Sequence, residues 1–250
     1  MMEEKAYLVS VVRDYGMYQR CIVDNPCCEG LVRVDLDNRS ENPGIPVRYN
    51  QFIDSLQEDG WIVFCHEDWM PLEPLLTRLE GLDAGCLYGP VGAFLEECPN
   101  ADFIHITGDI RQCRKNGAHR RHLRGTWTDG RTDTFDCQCI IVHSSLIRSK
   151  GLRFDERLGF DLYVEDFCAA AWCQGIPSRI LMLKCRHFSG GTLTERFWQG
   201  LEYLREKYRT CEKRFPTPVN RRNSFGGNQE KPIYNFRRTL SARLRYLIKK

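Results

Sequence analysis

Three places in the chain join a structural boundary to groups that can hold a cation or move a proton. Asp68 ends the run that starts at Trp61 and passes through His66 and Glu67; Glu165 and Asp166 stand together at a helix start; His187 closes a short apolar run. Hard divalent cations take carboxylate oxygens, and Mn2+ also accepts an imidazole. A carboxylate beside an attacking hydroxyl is a suitable general base. Each group also has a plainer reading. Asp68 can be a surface charge at a strand end, the acidic pair is favoured at any helix N-terminus by the macrodipole, and His187 can be a hydrogen-bonded strand-end histidine. The case for a site rests on Trp61 to Phe64, a β-branched and aromatic run after the Asp59-Gly60 turn signal that reads as a buried strand. Ionisable groups packed at the end of such a strand need a partner or a metal, and parallel sheets collect ligands at the carboxyl ends of their strands.

The elements around these groups alternate. Strands are expected at Tyr7 to Val12, Leu31 to Leu36, Trp61 to Phe64, Leu87 to Phe94, Phe135 to Val142 and Ile180 to Cys185. Apolar residues at helical spacing predict helices over Val47 to Glu58, Pro71 to Leu82, Ser144 to Lys150, Phe167 to Gln174 and Glu195 to Lys213. The order predicts an α/β fold with an open sheet and crossover helices. Residues 96–133 are the least regular. Their basic segment, Arg111 to Arg124, reads as a solvated loop or as a loop facing phosphate.

The chain has 250 residues, 42% hydrophobic and 28% charged, which is enough for a sizeable core in a soluble protein. A net charge of +3 gives no reason to expect a nucleic-acid partner. The thirteen cysteines include no Cys-x-x-Cys, so they form no zinc knuckle, and an odd count leaves a thiol over in any disulfide framework. They read as small core side chains in a reducing compartment, hence a cytoplasmic location. The first residues do not read as a signal peptide, and no run approaches the roughly 18 apolar residues of a membrane span.

In this order the motifs resemble those of GT-A glycosyltransferases of the family-2 type, closest to a bacterial subgroup with His-x-Asp in place of Asp-x-Asp. The resemblance runs from Leu8 to Gly191 and rests on Asp37-Asn38-Arg39-Ser40, Arg48-Tyr49-Asn50, Val63 to Asp68, Gly89 to Gly92, Arg153 to Glu156, Tyr163 to Asp166 and His187 to Gly191. It implies a GT-A, Rossmann-like open mixed sheet flanked by helices, with a C-terminal helical extension, and an inverting transfer from a nucleotide sugar to a glycan or lipid-linked acceptor, as in surface polysaccharide synthesis. Asp68, His187 and His66 would hold Mn2+ or Mg2+, and Asp166 would be the general base with Glu165 beside it. Ser10, Arg13, Asp37, Asn38, Arg48, Asn50 and Glu67 would contact the donor, and Asp136 and Trp69 the acceptor. His66 stands where the family has its first Asp, and Arg13-Asp14-Tyr15 replaces the usual Pro-x-Tyr-Asn.

Two other functions fit such a fold. A nucleotidyltransferase usually carries a Gly-rich loop after its first strand, and none follows Val12. A non-catalytic nucleotide- or carbohydrate-binding module would be marked by loss of the base, and Glu165-Asp166 is intact. On this reading residues 1–213 form the catalytic domain and residues 214–250 a linker with a basic terminal segment. Phe236, Leu240, Leu244, Leu247 and Ile248 recur at helical spacing among Arg and Lys, a pattern expected either on an anionic membrane surface, on the inner membrane face, or docked on the protein's own core.

Overall fold

The computed structural model describes residues 4–125, 130–189, 193–219 and 222–236. Strand β1 (Lys5–Val12) is buried from its second residue on and pairs in parallel with β2 (Val32–Asp37) and with β3 (Gly60–His66). A short helix α1 (Tyr15–Tyr18) follows β1, with the Asp14 side chain accepting from the Met17 amide at its start. Helix α2 (Ile45–Ser55) fills the crossover from β2 to β3, close to the sequence expectation, with Pro46 in its first turn, where the missing N–H costs nothing. Side chains of β3 alternate between two cores. Ile62 and Phe64 pack on the helical side with Tyr49 and Phe52 of α2, whereas Trp61, Val63 and Cys65 face the second sheet. Tyr49 and Phe64 stand 4.5 Å apart between ring centroids.

The next expectations need correction. The Pro71 to Leu82 helix shrinks to α3 (Leu75–Leu79), because Trp69 and Pro71 belong to a strand, β4 (Trp69–Pro71). The strand expected over Leu87 to Phe94 divides at Pro90 into β5 (Leu87–Gly89) and β6 (Val91–Glu96), which lie in different sheets. The region read as irregular is a long hairpin, β7 (Asp102–Cys113) and β8 (His119–Arg124). Alternating apolar positions at Ile104, Ile106 and Ile110 of β7 carry that pattern, which the cluster of arginines after it conceals. Strands β9 (Thr134–Phe135) and β10 (Cys139–His143) again divide one expected strand between two sheets.

Helix α4 (Ser144–Lys150) matches expectation and ends at Gly151, whose φ of 60° is the left-handed C-cap that glycine adopts without strain. Helix α5 (Tyr163–Trp172) starts four residues earlier than expected, so Glu165 and Asp166 lie inside its first turn. Strands β11 (Ser178–Ile180) and β12 (Cys185–His187) replace the single strand expected over Ile180 to Cys185. Helix α6 (Glu195–Lys207) then packs Phe197, Leu201 and Leu204 on the core.

The six-stranded sheet has the order β11-β5-β10-β3-β1-β2, and the second sheet runs β4-β12-β7-β6-β9 with β8 also on β7. The chain changes between these two sheets five times: between β3 and β4, β4 and β5, β5 and β6, β9 and β10, and β11 and β12. The β3–β4 and β9–β10 connections meet along one seam, where His66, Asp68, Asp136 and Cys137 stand together.

The stretch read as a linker is folded. Strands β13 (Phe215–Pro216) and β14 (Ser224–Phe225) form a ribbon, and β15 (Ile233–Asn235) adds in parallel to β7. Phe215 and Phe225 are fully buried and stacked 5.4 Å apart. Asp102 takes Arg214 at 3.1 Å and Lys231 at 2.6 Å, fastening this segment to β7. The expected terminal helix and its membrane-facing stripe fall almost entirely on residues 237–250, which lie outside the described residues. Replacing Phe225 by Ala should therefore cost about 3–5 kcal/mol, the usual range for emptying a buried aromatic site. Urea unfolding checks it; an unchanged midpoint would show that the ribbon is only loosely attached.

Candidate active site

The seam opens into a cleft of about 770 Å3. Strand β3 leaves its sheet at His66, passes Glu67 and Asp68, and enters the second sheet at Trp69, whose partner in register is His187 at the end of β12. The amide of Phe188 donates to the Asp68 carbonyl at 3.0 Å. This pairing sets the Asp68 carboxylate 3.2 Å from His187 Nε2 and 4.0 Å from His66 Nδ1. Ligand atoms of the three residues all lie within 4.8 Å of one another.

Hydrogen bonds fix what each member can offer. The Tyr163 hydroxyl donates to the Cys137 carbonyl at 2.7 Å, so it accepts from His66 Nε2 at 3.0 Å. The His66 proton is thus on Nε2, and the Nδ1 lone pair faces Asp68. Burial lowers the His66 pKa to about 4, which keeps the ring neutral. Burial alone would raise the Asp68 carboxyl, but the neighbouring His187 outweighs it and holds the group at about 2. Nδ1 of the buried His187 has no hydrogen-bond partner, and Nε2 is in ion-pair contact with Asp68. One ionised carboxylate, a neutral imidazole with a free lone pair and a second imidazole with an unpartnered nitrogen fit a divalent cation that accepts mixed O and N ligands. The Tyr163 hydroxyl orients the first imidazole from behind.

Glu165 also lines the cleft. Leu162, with φ 65°, is the only non-glycine residue in the left-handed region among the described residues, and it turns the chain sharply into α5. Glu165 Oε2 accepts from the Cys137 thiol at 3.0 Å, and Oε1 has no partner. Its complete burial pushes the carboxyl up to about 8. Asp136, one residue from Cys137, lines the cleft as well, and burial raises its pKa.

Asp166, expected as the base, is not in the cleft. Its carboxylate turns to the opposite side, 2.6 Å from Lys207 Nζ and 2.9 Å from the Tyr208 hydroxyl. Five other expected contacts lie elsewhere. Ser10 is buried against Cys65 Sγ at 3.3 Å, Asp37 pairs with Arg39 at the surface, and Trp69 is fully buried. Asn50 ties α2 to Phe154, and Arg48 bonds Gln51 and the Glu41 carbonyl. Of the expected donor set, Arg13, Asn38 and Glu67 line the cleft. Glu67 Oε2 is already occupied by the amides of Arg13 and Asp14, at 2.5 and 2.9 Å, and so clamps the end of β1.

The cleft wall also holds Arg120 and Arg121, from the segment read as a solvated or a phosphate-facing loop, and Phe160 and Arg196, which sequence reasoning missed. Phe160 stacks on His66 at 5.8 Å, and Arg196 covers Phe160 at 4.8 Å while bonding Asp161 at 3.0 Å. The cluster of arginines was a signal for the first two; nothing local marks the others.

No family model matches the chain, and no curated protein does. Among solved structures it is similar to GalNAc-T7 in complex with UDP, GalNAc and Mn2+, at 11% identity and TM-score 0.51, over 82% of this chain and 49% of that one. It is similar also to S. aureus TarS 1–349, at 10% identity and TM-score 0.51, over 84% of this chain and 66% of that one. The chain thus spans about half the length of the first and just under two thirds of the second. These likenesses show the fold, which is GT-A: a mixed α/β architecture with an open sheet flanked by helices.

Mn2+ should raise the thermal unfolding midpoint of the protein, because an ion bound at 100 times its dissociation constant stabilises by about 2.7 kcal/mol. Asp68→Ala should abolish the shift and His66→Ala should weaken it. Scanning calorimetry reads both, and an Asp68→Ala variant that responds to Mn2+ like the wild type would remove Asp68 from the set.

Proposed function

We propose that this chain is a nucleotide-sugar-dependent glycosyltransferase that inverts the anomeric carbon, uses Mn2+ or Mg2+, and acts on a glycan or lipid-linked acceptor. The observation that carries the reading is the placement of His66, Asp68 and His187 along the same cleft as the unpartnered Glu165 Oε1. The GT-A fold supports it, and so does the Mn2+ and UDP of the GalNAc-T7 complex. The family-2 likeness adds a His-x-Asp version of the metal motif.

His66, Asp68 and His187 would hold the cation, which when bound offsets negative charge on the departing diphosphate. Arg13 and Asn38, at the carboxyl ends of β1 and β2, border the nucleotide side of the cleft. The acceptor hydroxyl attacks the anomeric carbon from the face opposite the leaving phosphate, and its proton passes to Glu165 Oε1. A single in-line displacement with one base inverts the configuration. Glu165 replaces Asp166 in this role because only the former reaches the cleft. Asp166 instead holds Lys207 and Tyr208, joining α5 to α6. Asp136 is a second carboxyl available to acceptor hydroxyls.

The reading is tested by incubating the protein with a panel of nucleotide sugars and Mn2+ and following release of nucleoside diphosphate. Slow release from one donor, abolished by EDTA, is expected. Tight donor binding with no release would make the cleft a binding module, and no binding at all would remove the reading.

Glu165→Gln should keep donor binding and lose turnover by roughly 10²–10⁴-fold, the scale of general-base catalysis. Asp166→Asn should keep most turnover but cost about 1–3 kcal/mol of stability by weakening the bonds from Lys207 and Tyr208. A base must be ionised to act, so a carboxyl raised to about 8 places the rising limb of the pH–turnover profile near pH 8 rather than near the ordinary glutamate value. A Glu165→Gln variant with the turnover and pH profile of the wild type would exclude Glu165.

A further inference from the structure

The β7–β8 hairpin carries charge into the cleft that the reaction above leaves without a task. Its antiparallel register sets Ile110 opposite Leu123 and Gln112 opposite Arg121, so these four side chains share one face. Gln112, Arg121 and Leu123 of that face line the cleft. Regular alternation would turn Arg120 to the other side. The register shifts between Gln112 and Cys113, and Cys113 lies opposite His119, which makes Arg120 the extra residue of a bulge. A bulge re-aims a side chain, and such irregularities recur beside functional sites. Arg120 accordingly lines the same cleft, with one guanidinium nitrogen 3.4 Å from the Ser189 carbonyl oxygen. Two consecutive arginines face one cavity, which a straight strand does not permit.

The hairpin is also fastened in place. At its tip Lys115 pairs with Asp14 at 3.2 Å, and Arg20 donates to the Lys115 carbonyl at 3.2 Å while covering the Phe188 ring at 4.5 Å. These contacts tie the tip to the turn after Arg13 and to the residue after His187. Arg121 is steadied by a neutral group, Gln112 Oε1, at 3.0 and 3.3 Å, so this contact leaves its charge uncompensated.

We infer that Arg120 and Arg121 bind the diphosphate of a nucleoside diphosphate ligand beside the His66–Asp68–His187 cluster. The inference rests on the glycosyltransferase reading. Guanidinium groups match phosphate oxygens in a fixed bidentate geometry, and a charge on rigid backbone needs no reorganisation when the ligand arrives. A terminal phosphate carries roughly −1.5 to −2 charge at neutral pH. The departing diphosphate is therefore more anionic than the bound donor, and these arginines hold the leaving state more tightly than the ground state.

Calorimetric titration of the full chain with UDP, GDP, CDP, dTDP and ADP, with and without Mn2+, tests it, using the matching nucleosides as controls. The wild type should bind one diphosphate, and Arg120→Gln/Arg121→Gln should weaken that binding roughly 10- to 100-fold, as expected for lost charge-assisted bonds, while leaving the nucleoside unaffected. Salt should weaken the wild type more than the double variant. Arg111→Gln, on the opposite face of the hairpin, should behave as wild type. An unaltered double variant, or an equal loss in Arg111→Gln from a general field effect, would overturn the inference. Failure of the wild type to bind any of the five would overturn the donor reading as well, so the two failures are told apart.

Discussion

The structure depends on what happens at the end of β3. Five residues from Trp61 to Cys65 are buried on both faces, which leaves no freedom of register, since a slip by one would exchange the two cores. The chain must then leave this sheet, and within three residues it is paired in another, with Trp69 opposite His187. The segment between is fixed by bonds to the neighbouring strand ends: the His66 amide donates to the Gln138 carbonyl, the Asp68 carbonyl accepts from Phe188, and the Glu67 carboxylate receives the amides after β1. Polar side chains from four distant parts of the sequence meet there because hydrogen bonding of the backbone demands it.

Helix α5 shows how geometry assigns different tasks to neighbouring carboxylates. Successive residues of a helix point about 100° apart. Glu165 therefore faces the seam among Cys137 and Leu162, while Asp166 faces Lys207 and Tyr208. Both are buried, but only the second has a cation. The sequence motif does not reveal this division, because it reports the pair and not the phase of the helix that carries it.

What the sequence made legible follows from this. Elements that stay within one sheet or layer could be read locally: β1 and β3 from apolar, β-branched runs bounded by turn signals, and α2 and α4 from apolar residues at helical spacing. The His66–Asp68 segment and His187 could be marked because charge at the end of a buried strand is unusual. Strands that change sheet were not separable: Leu87 to Phe94 and Phe135 to Val142 each read as one run, because a single Pro90 or Asp136 inside a run does not show that the pairing passes to another sheet. The hairpin was obscured for the opposite reason, since its outer face carries so many charges that the alternation beneath them is lost. Phe215 and Phe225 sat in a Pro-, Asn- and Gly-rich stretch whose composition resembles a linker, and only their stacked burial shows otherwise.

Enclosing Glu165 has a cost that falls on the fold. An acid whose pKa is higher folded than unfolded stays protonated in the native chain while the unfolded chain has already released that proton. For Glu165 this window runs from its ordinary value of 4.5 to about 8. Across it the native state binds more protons than the unfolded one, so this residue's contribution to stability falls as pH rises, and unfolding at neutral pH releases a proton. Asp136 acts in the same direction. The native protein is in this respect a proton reservoir, and Glu165 contributes least to its stability above about pH 8, where the folded carboxyl too has ionised.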